Sequence, residues 1–147
     1  MSSPKVWGKY FWTCFHYVAL GYPDEPTVSD RQIYRDFYST FGHVLPCKKC
    51  TDNYERHLQE LPIDSYLKNS YTLFEWTVRV HNIVNKELGK PIWNIEYAKM
   101  YYLHLDQPGG EFTRSYLDKV ATQSIIFKIM IVVNIIVVLV AIYLLWK

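Results

Sequence analysis

The stretch Ser70-Tyr-Thr-Leu-Phe-Glu-Trp-Thr-Val-Arg-Val-His-Asn-Ile-Val-Asn-Lys-Glu-Leu88 sets Leu73, Trp76, Val80 and Val84 three or four residues apart. That is the period of one helix face. Gly89 and Pro91 stop it, because glycine closes helices readily and proline cannot continue one. Toward the N-terminus the same period returns. Val6 to about Leu20 carries Trp7, Tyr10, Phe11, Cys14, Phe15 and Val18, and Gly21-Tyr-Pro-Asp24 ends that helix. Ser29 or Asp30 is expected to cap a second helix, running through Ile33, Phe37 and Phe41 to about Gly42. Pro46 is expected to open a third, from Cys47 to about Glu60, since its missing N–H is no loss in a first turn. Past Pro91 a short fifth helix is expected over Ile95 to Leu103. No stretch alternates apolar and polar residues between strand-like turns. The expected fold is therefore all-α: a four-helix bundle plus a short fifth helix, forming one domain over residues 1–105.

The C-terminal part differs in kind. From Ile129 to Trp146 every residue but Asn134 is apolar or aromatic, and Ile125 to Phe127 extend the run across a snorkelling Lys128. At about 1.5 Å per residue, this run suits a hydrocarbon core of roughly 30 Å. A transmembrane helix is expected over residues 125–146, after a linker over 106–124. In that linker Asp106-Gln-Pro-Gly-Gly110 signals a turn, and the rest up to Ser124 could be a short helix or a tether. Arg114, Lys119 and Lys128 precede the span and only Lys147 follows it, so the folded domain is expected to face the cytosol. Asn134 is given no chemical role.

A chain of 147 residues with such a run has room for one soluble domain, so one site is sought. The net charge of +2 leaves 16 basic and 14 acidic residues interspersed, which gives no case for nucleic acid. The aromatic fraction of 17% exceeds what a small core needs, and implies either a tyrosine-rich core and surface or a pocket for a flat ligand. Three cysteines exclude a dense disulfide framework. The N-terminal residues hold no apolar stretch long enough for a secretory signal.

Cys47-Lys-Lys-Cys50 is the strongest local signal. Two thiols three positions apart at a helix start can close a reversible disulfide, with the helix dipole and two lysines favouring the thiolate. Half of a zinc site is the alternative, with His43, His57 or His81 as conceivable further ligands; none forms a close second pair. Cys14, in an aromatic stripe, reads as a small buried residue. Trp12 and His16 lie four apart on one helix face, as do His81 and Asn85, with Asn82 three before Asn85. Each alone reads as a core histidine or a cap; together they concentrate donors and flat rings.

The segments Gly8-Lys-Tyr-Phe-Trp-Thr-Cys-Phe-His16, Pro46-Cys-Lys-Lys-Cys50 and Trp76-Thr-Val-Arg-Val-His-Asn-Ile-Val-Asn-Lys-Glu-Leu-Gly-Lys-Pro91 closely resemble the Erv/ALR family of FAD-linked sulfhydryl oxidases, in order and separation as well as content. The resemblance covers about Trp7 to Tyr102. It implies a helical bundle that holds FAD without a Rossmann fold, and a homodimer. It places Gly8, Lys9, Trp12 and His16 of the first helix, and His81, Asn82, Val84, Asn85, Lys86 and Lys90 of the fourth, against the cofactor. Tyr101 and Tyr102 fall where the family has a last contact, often Trp, so there the match departs from the pattern. By the same resemblance Cys47 and Cys50 are catalytic and no metal is used. A substrate thiolate attacks Cys47, Cys50 passes electrons to the flavin, and dioxygen becomes hydrogen peroxide.

Family members commonly carry a second, shuttle cysteine pair and structural disulfides, and this sequence has neither. Electrons are then expected to enter at Cys47 from a thiol-bearing protein, for which a thioredoxin-like carrier would suit. Small viral members lack the shuttle and can bear one span, so a host or virion membrane and a role in virion disulfide formation are implied. The competing readings are a membrane-tethered zinc or adaptor module, a flavin-free thioredoxin-like carrier, which would need strands around the motif, and a flavin-binding relative that turns over slowly.

Overall fold

The computed structural model describes residues 3–105 and 114–146, the side chains of the second stretch only in part. The described residues form helices α1 (Pro4–Leu20), α2 (Val28–Phe41), α3 (Lys48–Glu60), α4 (Ser70–Glu87), α5 (Ile95–Leu105) and α6 (Arg114–Trp146), with 3₁₀ turns at Gly42–Val44 and Ile63–Tyr66. No strand occurs among them. The chain divides into two compact units, residues 1–103 and 104–147. Of the expected linker, residues 106–113 lie outside the described residues.

Helix positions follow the periodicity; their ends follow hydrogen bonding. Thr27, not Ser29 or Asp30, caps α2: its side chain accepts from Asp30 N while Asp30 reaches back to the Thr27 backbone, a reciprocal capping box. Pro46 stands one residue before the cap of α3 rather than in its first turn, because Cys47 itself is the cap. Asn69 and Thr72 form the equivalent box at the start of α4. Gly89 follows α4 at φ 63°, a left-handed conformation open to glycine without a side-chain clash. Helix α5 runs two residues beyond its expected end.

The core of the first unit is aromatic. Phe15, Tyr38, Phe74 and Trp76 are fully buried. The Phe15 ring meets Tyr38 at 4.9 Å, Trp76 at 5.7 Å and Tyr54 at 6.1 Å between centroids. Each such pair adds about 0.5–1.5 kcal/mol beyond area burial. The hydroxyls are used as fasteners: Tyr54 donates to the Tyr38 carbonyl at 2.7 Å, and Tyr38 to the Phe15 carbonyl at 2.9 Å, tying α3 to α2 and α2 to α1. Trp76 Nε1 donates to the Leu61 carbonyl, anchoring the end of α3. Much of the aromatic excess is thus core. In the stripe that defined α4, Leu73, Trp76 and Val80 are buried and Val84 is half-buried.

In the second unit α6 is one helix of 33 residues, about 50 Å long, so the segment from Arg114 to Ser124 is helix rather than tether. Asn134 turns its amide onto the Met130 carbonyl one turn back. Counted over the described residues, no helix is long and apolar enough to cross a membrane. The described side chains of α6 form an apolar run from Ile125 to Ile136 broken by Lys128 and Asn134.

Candidate functional site

Cys47 and Cys50 are joined by a disulfide, with Cα atoms 5.1 Å apart. As the α3 cap, Cys47 Sγ accepts from Cys50 N at 3.2 Å. A backbone donor at a helix start, where the dipole is positive, stabilises negative charge on that sulfur once the bridge is reduced. Thr51 Oγ1 donates to the Gly42 carbonyl at 2.9 Å and binds the motif to the end of α2. Gly42 is required there: a Cβ would lie 2.5 Å from Tyr54 Cδ1. The two sulfurs occupy each other, and among the described residues no group of three His, Cys, Asp or Glu could hold a metal ion.

Helices α1 and α4 carry the second part of the site. The Trp12 and His81 rings stack at 3.9 Å with planes 5° apart, and Trp12 also stacks on His16 at 6.0 Å. His16 is buried, with Nε2 3.0 Å from His81 Nδ1 and Nδ1 2.8 Å from Thr77 Oγ1. Tyr102 closes over His16 at 4.7 Å and is itself buried, which raises its phenol pKa. Burial, and then the positive neighbour Lys90, hold the His81 ring at about 4. Burial and then His81 hold His16 well below the ordinary histidine range. Both rings are neutral near pH 7.

Asn82 clamps the backbone of Trp93, accepting from its N–H at 2.9 Å and donating to its carbonyl at 2.8 Å. Trp93 thereby lies 6.2 Å from His81 and 5.2 Å from Tyr101. Asn85 is buried and its carbonyl accepts from Lys90 N. Gly8 is half-buried with nothing within 4 Å of where a Cβ would stand. Lys9, Lys86 and Lys90 are exposed. Trp12, His16, His81 and Tyr102 are thus drawn into one ring cluster and Asn82 and Tyr101 into its Trp93 flank, whereas Gly8, Lys9, Val84 and Lys86 are placed by helix position alone.

The aromatic core links this cluster to the disulfide. Trp12 meets Phe15 at 5.4 Å, and Phe15 meets Tyr54, one turn after Cys50. The sequence reading missed Thr77 and Trp93. Thr77 stands four before His81 on the same face, a signal that was available; Trp93 lies in a loop whose path periodicity cannot give. His57 is buried with Nε2 2.9 Å from Glu87 Oε1, which also accepts from Arg56 at 2.7 Å, joining α3 to α4. Cys14, expected to be buried, is exposed, because the bundle buries its neighbours Phe15 and His16 instead.

The donor set suits a ligand with flat heteroaromatic rings and a strongly anionic link. Half-buried ring faces serve the first, and the lysines of α1 and the α4 end serve the second.

The sequence model of the Erv1 / Alr family matches residues 9–103. A protein of Acanthamoeba polyphaga mimivirus described as a probable FAD-linked sulfhydryl oxidase is 46% identical over 89 residues, 60% of this chain and 62% of that protein. The mitochondrial FAD-linked sulfhydryl oxidase of Saccharomyces cerevisiae is 31% identical over 90 residues, 61% of this chain and 47% of that protein. The chain thus spans less than two thirds of these relatives' lengths. Among solved structures, the FAD binding domain of yeast Erv1 superposes with a TM-score of 0.65 at 27% identity, covering 69% of this chain and 95% of that one.

Proposed function

This chain belongs to the Erv1 / Alr family, and from that membership we propose that it is an FAD-linked thiol oxidase that makes disulfide bonds in protein substrates through Cys47 and Cys50. The observation that carries the reading is the Cys47–Cys50 bridge at the cap of α3, in a bundle whose neighbouring helices present a cluster of half-buried rings.

A substrate thiolate attacks Cys47 Sγ, forming a substrate–Cys47 bond and breaking the Cys47–Cys50 bond. Cys50 leaves as thiolate. A second substrate thiolate attacks the first substrate sulfur, so the substrate departs as a disulfide and Cys47 is released with the electron pair. The Cys50 N–H that Cys47 Sγ accepts in the bridged form would favour negative charge on that sulfur. The chemistry FAD supplies when bound is acceptance of the two electrons of this dithiol and their delivery to dioxygen, which restores the bridge and gives hydrogen peroxide. Trp12, His16, His81, Asn82, Val84, Asn85, Tyr101 and Tyr102 would hold its rings, and Gly8, Lys9, Lys86 and Lys90 its sugar and pyrophosphate parts. The chain's own work is to shield His16 from water by packing Tyr102 over it and to keep the sulfurs at the helix start.

In this reading electrons enter at Cys47 from a thiol-bearing protein; a thioredoxin-like carrier has the exposed dithiol this needs. The homodimer follows from the family resemblance. Residues 125–146 anchor the chain in a host or virion membrane with the domain facing the cytosol, a reading supported by the apolar composition of that stretch of sequence and by the charges flanking it. The similarity to viral proteins supports a part in virion assembly.

The test is the absorbance spectrum of the purified chain in detergent, followed by oxygen uptake with dithiothreitol. A yellow protein whose uptake is lost in Cys47→Ala and Cys50→Ala while the flavin bands remain supports the reading. A folded, colourless chain that cannot be reconstituted with FAD sinks it.

A further inference from the structure

Thr77 lies one turn before His81 on α4 and meets His16 of α1. A hydroxyl has one hydrogen, and the 2.7 Å bond to the Phe74 carbonyl, which can only accept, uses it. Thr77 Oγ1 therefore meets His16 Nδ1, 2.8 Å away, through a lone pair, and the proton between them sits on His16. A neutral imidazole carries one N–H, so His16 Nε2 is an acceptor. His81 Nδ1, 3.0 Å away, must then be the donor, which leaves His81 Nε2 without a hydrogen. Both rings are held neutral by burial, as the tautomer argument requires. No hydrogen bond to His81 Nε2 exists among the described residues. Nor is that atom sealed from solvent: His57 Nδ1 is the one buried, unpartnered side-chain polar atom among them.

We infer that Thr77 is a positioning residue which, through His16, fixes His81 with a bare Nε2, so that this ring receives an N–H or O–H of the bound dinucleotide and not a phosphate oxygen. The inference rests on the FAD reading. FAD carries such donors on its sugar hydroxyls, its adenine amine and its flavin imide, whereas its phosphate oxygens can only accept. A histidine facing the pyrophosphate would need the other tautomer or a positive charge. Lys9, Lys86 and Lys90 are the cations left for that part.

The experiment uses the full chain in detergent, labelled with ¹⁵N-histidine, with long-range ¹⁵N–¹H correlation spectra reading the tautomer of each ring at pH 7. His16 and His81 are both expected to carry their hydrogen on Nδ1. Thr77→Val keeps the shape and removes the acceptor. His81 then populates both tautomers, and FAD, read by quenching of its fluorescence, binds about five- to tenfold more weakly, the scale of one misdirected hydrogen bond. Thr77→Ser restores both properties. His81 protonated on Nε2 in the unmodified chain overturns the inference, as does Thr77→Val with tautomer and FAD affinity unchanged. Should that variant not fold, the tautomer of the unmodified chain decides. A chain that shows the Nδ1–H pair yet binds no FAD overturns the assignment to a cofactor along with the FAD reading, and leaves only the ring relay standing.

Discussion

Acidifying the FAD-free chain from pH 7.5 to pH 5 should destabilise its helical bundle well before its carboxylates titrate. The perturbation acts on His81, held at about 4 against an ordinary 6.5, first by burial and then by Lys90. Between those values the unfolded chain binds a proton that the folded chain refuses. Stability is therefore complete above about pH 6.5 and declines as pH falls toward 4, where the folded ring also protonates. At pH 5 the loss from His81 alone is roughly 2 kcal/mol by this linkage. For a domain of this size that lowers the midpoint of thermal unfolding by about 10 °C. His16, displaced in the same direction, adds to it. Glu87 is held low by hydrogen bonds from Arg56 and His57, so its contribution is lost only at more acid pH and does not blur the window. The assay is a series of thermal melts followed by near-ultraviolet circular dichroism, on the chain and on His81→Gln, which cannot titrate. The expected result is a steep slope below pH 6.5, clearly flattened in the variant. A midpoint that stays level from pH 7.5 to pH 5, or a slope identical in His81→Gln, would refute the reasoning.

Other outcomes follow from single contacts. Gly42→Ala drives a methyl against the Tyr54 ring, which is buried and held by its bond to Tyr38; overpacking of about 1–3 kcal/mol should outweigh the ~1 kcal/mol that alanine gains in a helical turn. A lower midpoint in denaturant is expected, and an unchanged one would show that the ring swings aside. Asn82→Ala removes both bonds to Trp93, so amide exchange across residues 89–94 should accelerate while α4 stays protected; unchanged exchange there would show that the clamp is dispensable. Titration with a thiol reagent without denaturant should count one thiol in the oxidised chain, the exposed Cys14, and three after reduction. No reaction before reduction would place Cys14 under a partner surface.

The gap between sequence and structure runs along one physical line. Helix periodicity and the spacing of Cys47 and Cys50 are local, set by chain geometry within a few residues, so the helix positions and a pair of thiols within disulfide reach were legible before any coordinates, while zinc stayed open as an alternative. The caps were half legible: Asp30 was marked, but the residue whose oxygen completes the reciprocal box, Thr27, is chosen by backbone geometry just ahead of the helix. Resemblance marked the ring-bearing positions of α1 and α4 but could not say which rings touch.

What the sequence determined by itself is the all-α fold, two cysteines within disulfide reach at a helix start and a helix at the C-terminal end. Tertiary structure alone decided that Cys14 faces out, because burial depends on which side of α1 meets α4. It also decided that His57 pairs with Glu87 30 residues away and that Thr77 meets His16 of α1. Such contacts join residues far apart in the chain, and the identity of a partner across a packed interface is set by the angle and register of two helices, which neither sequence alone encodes.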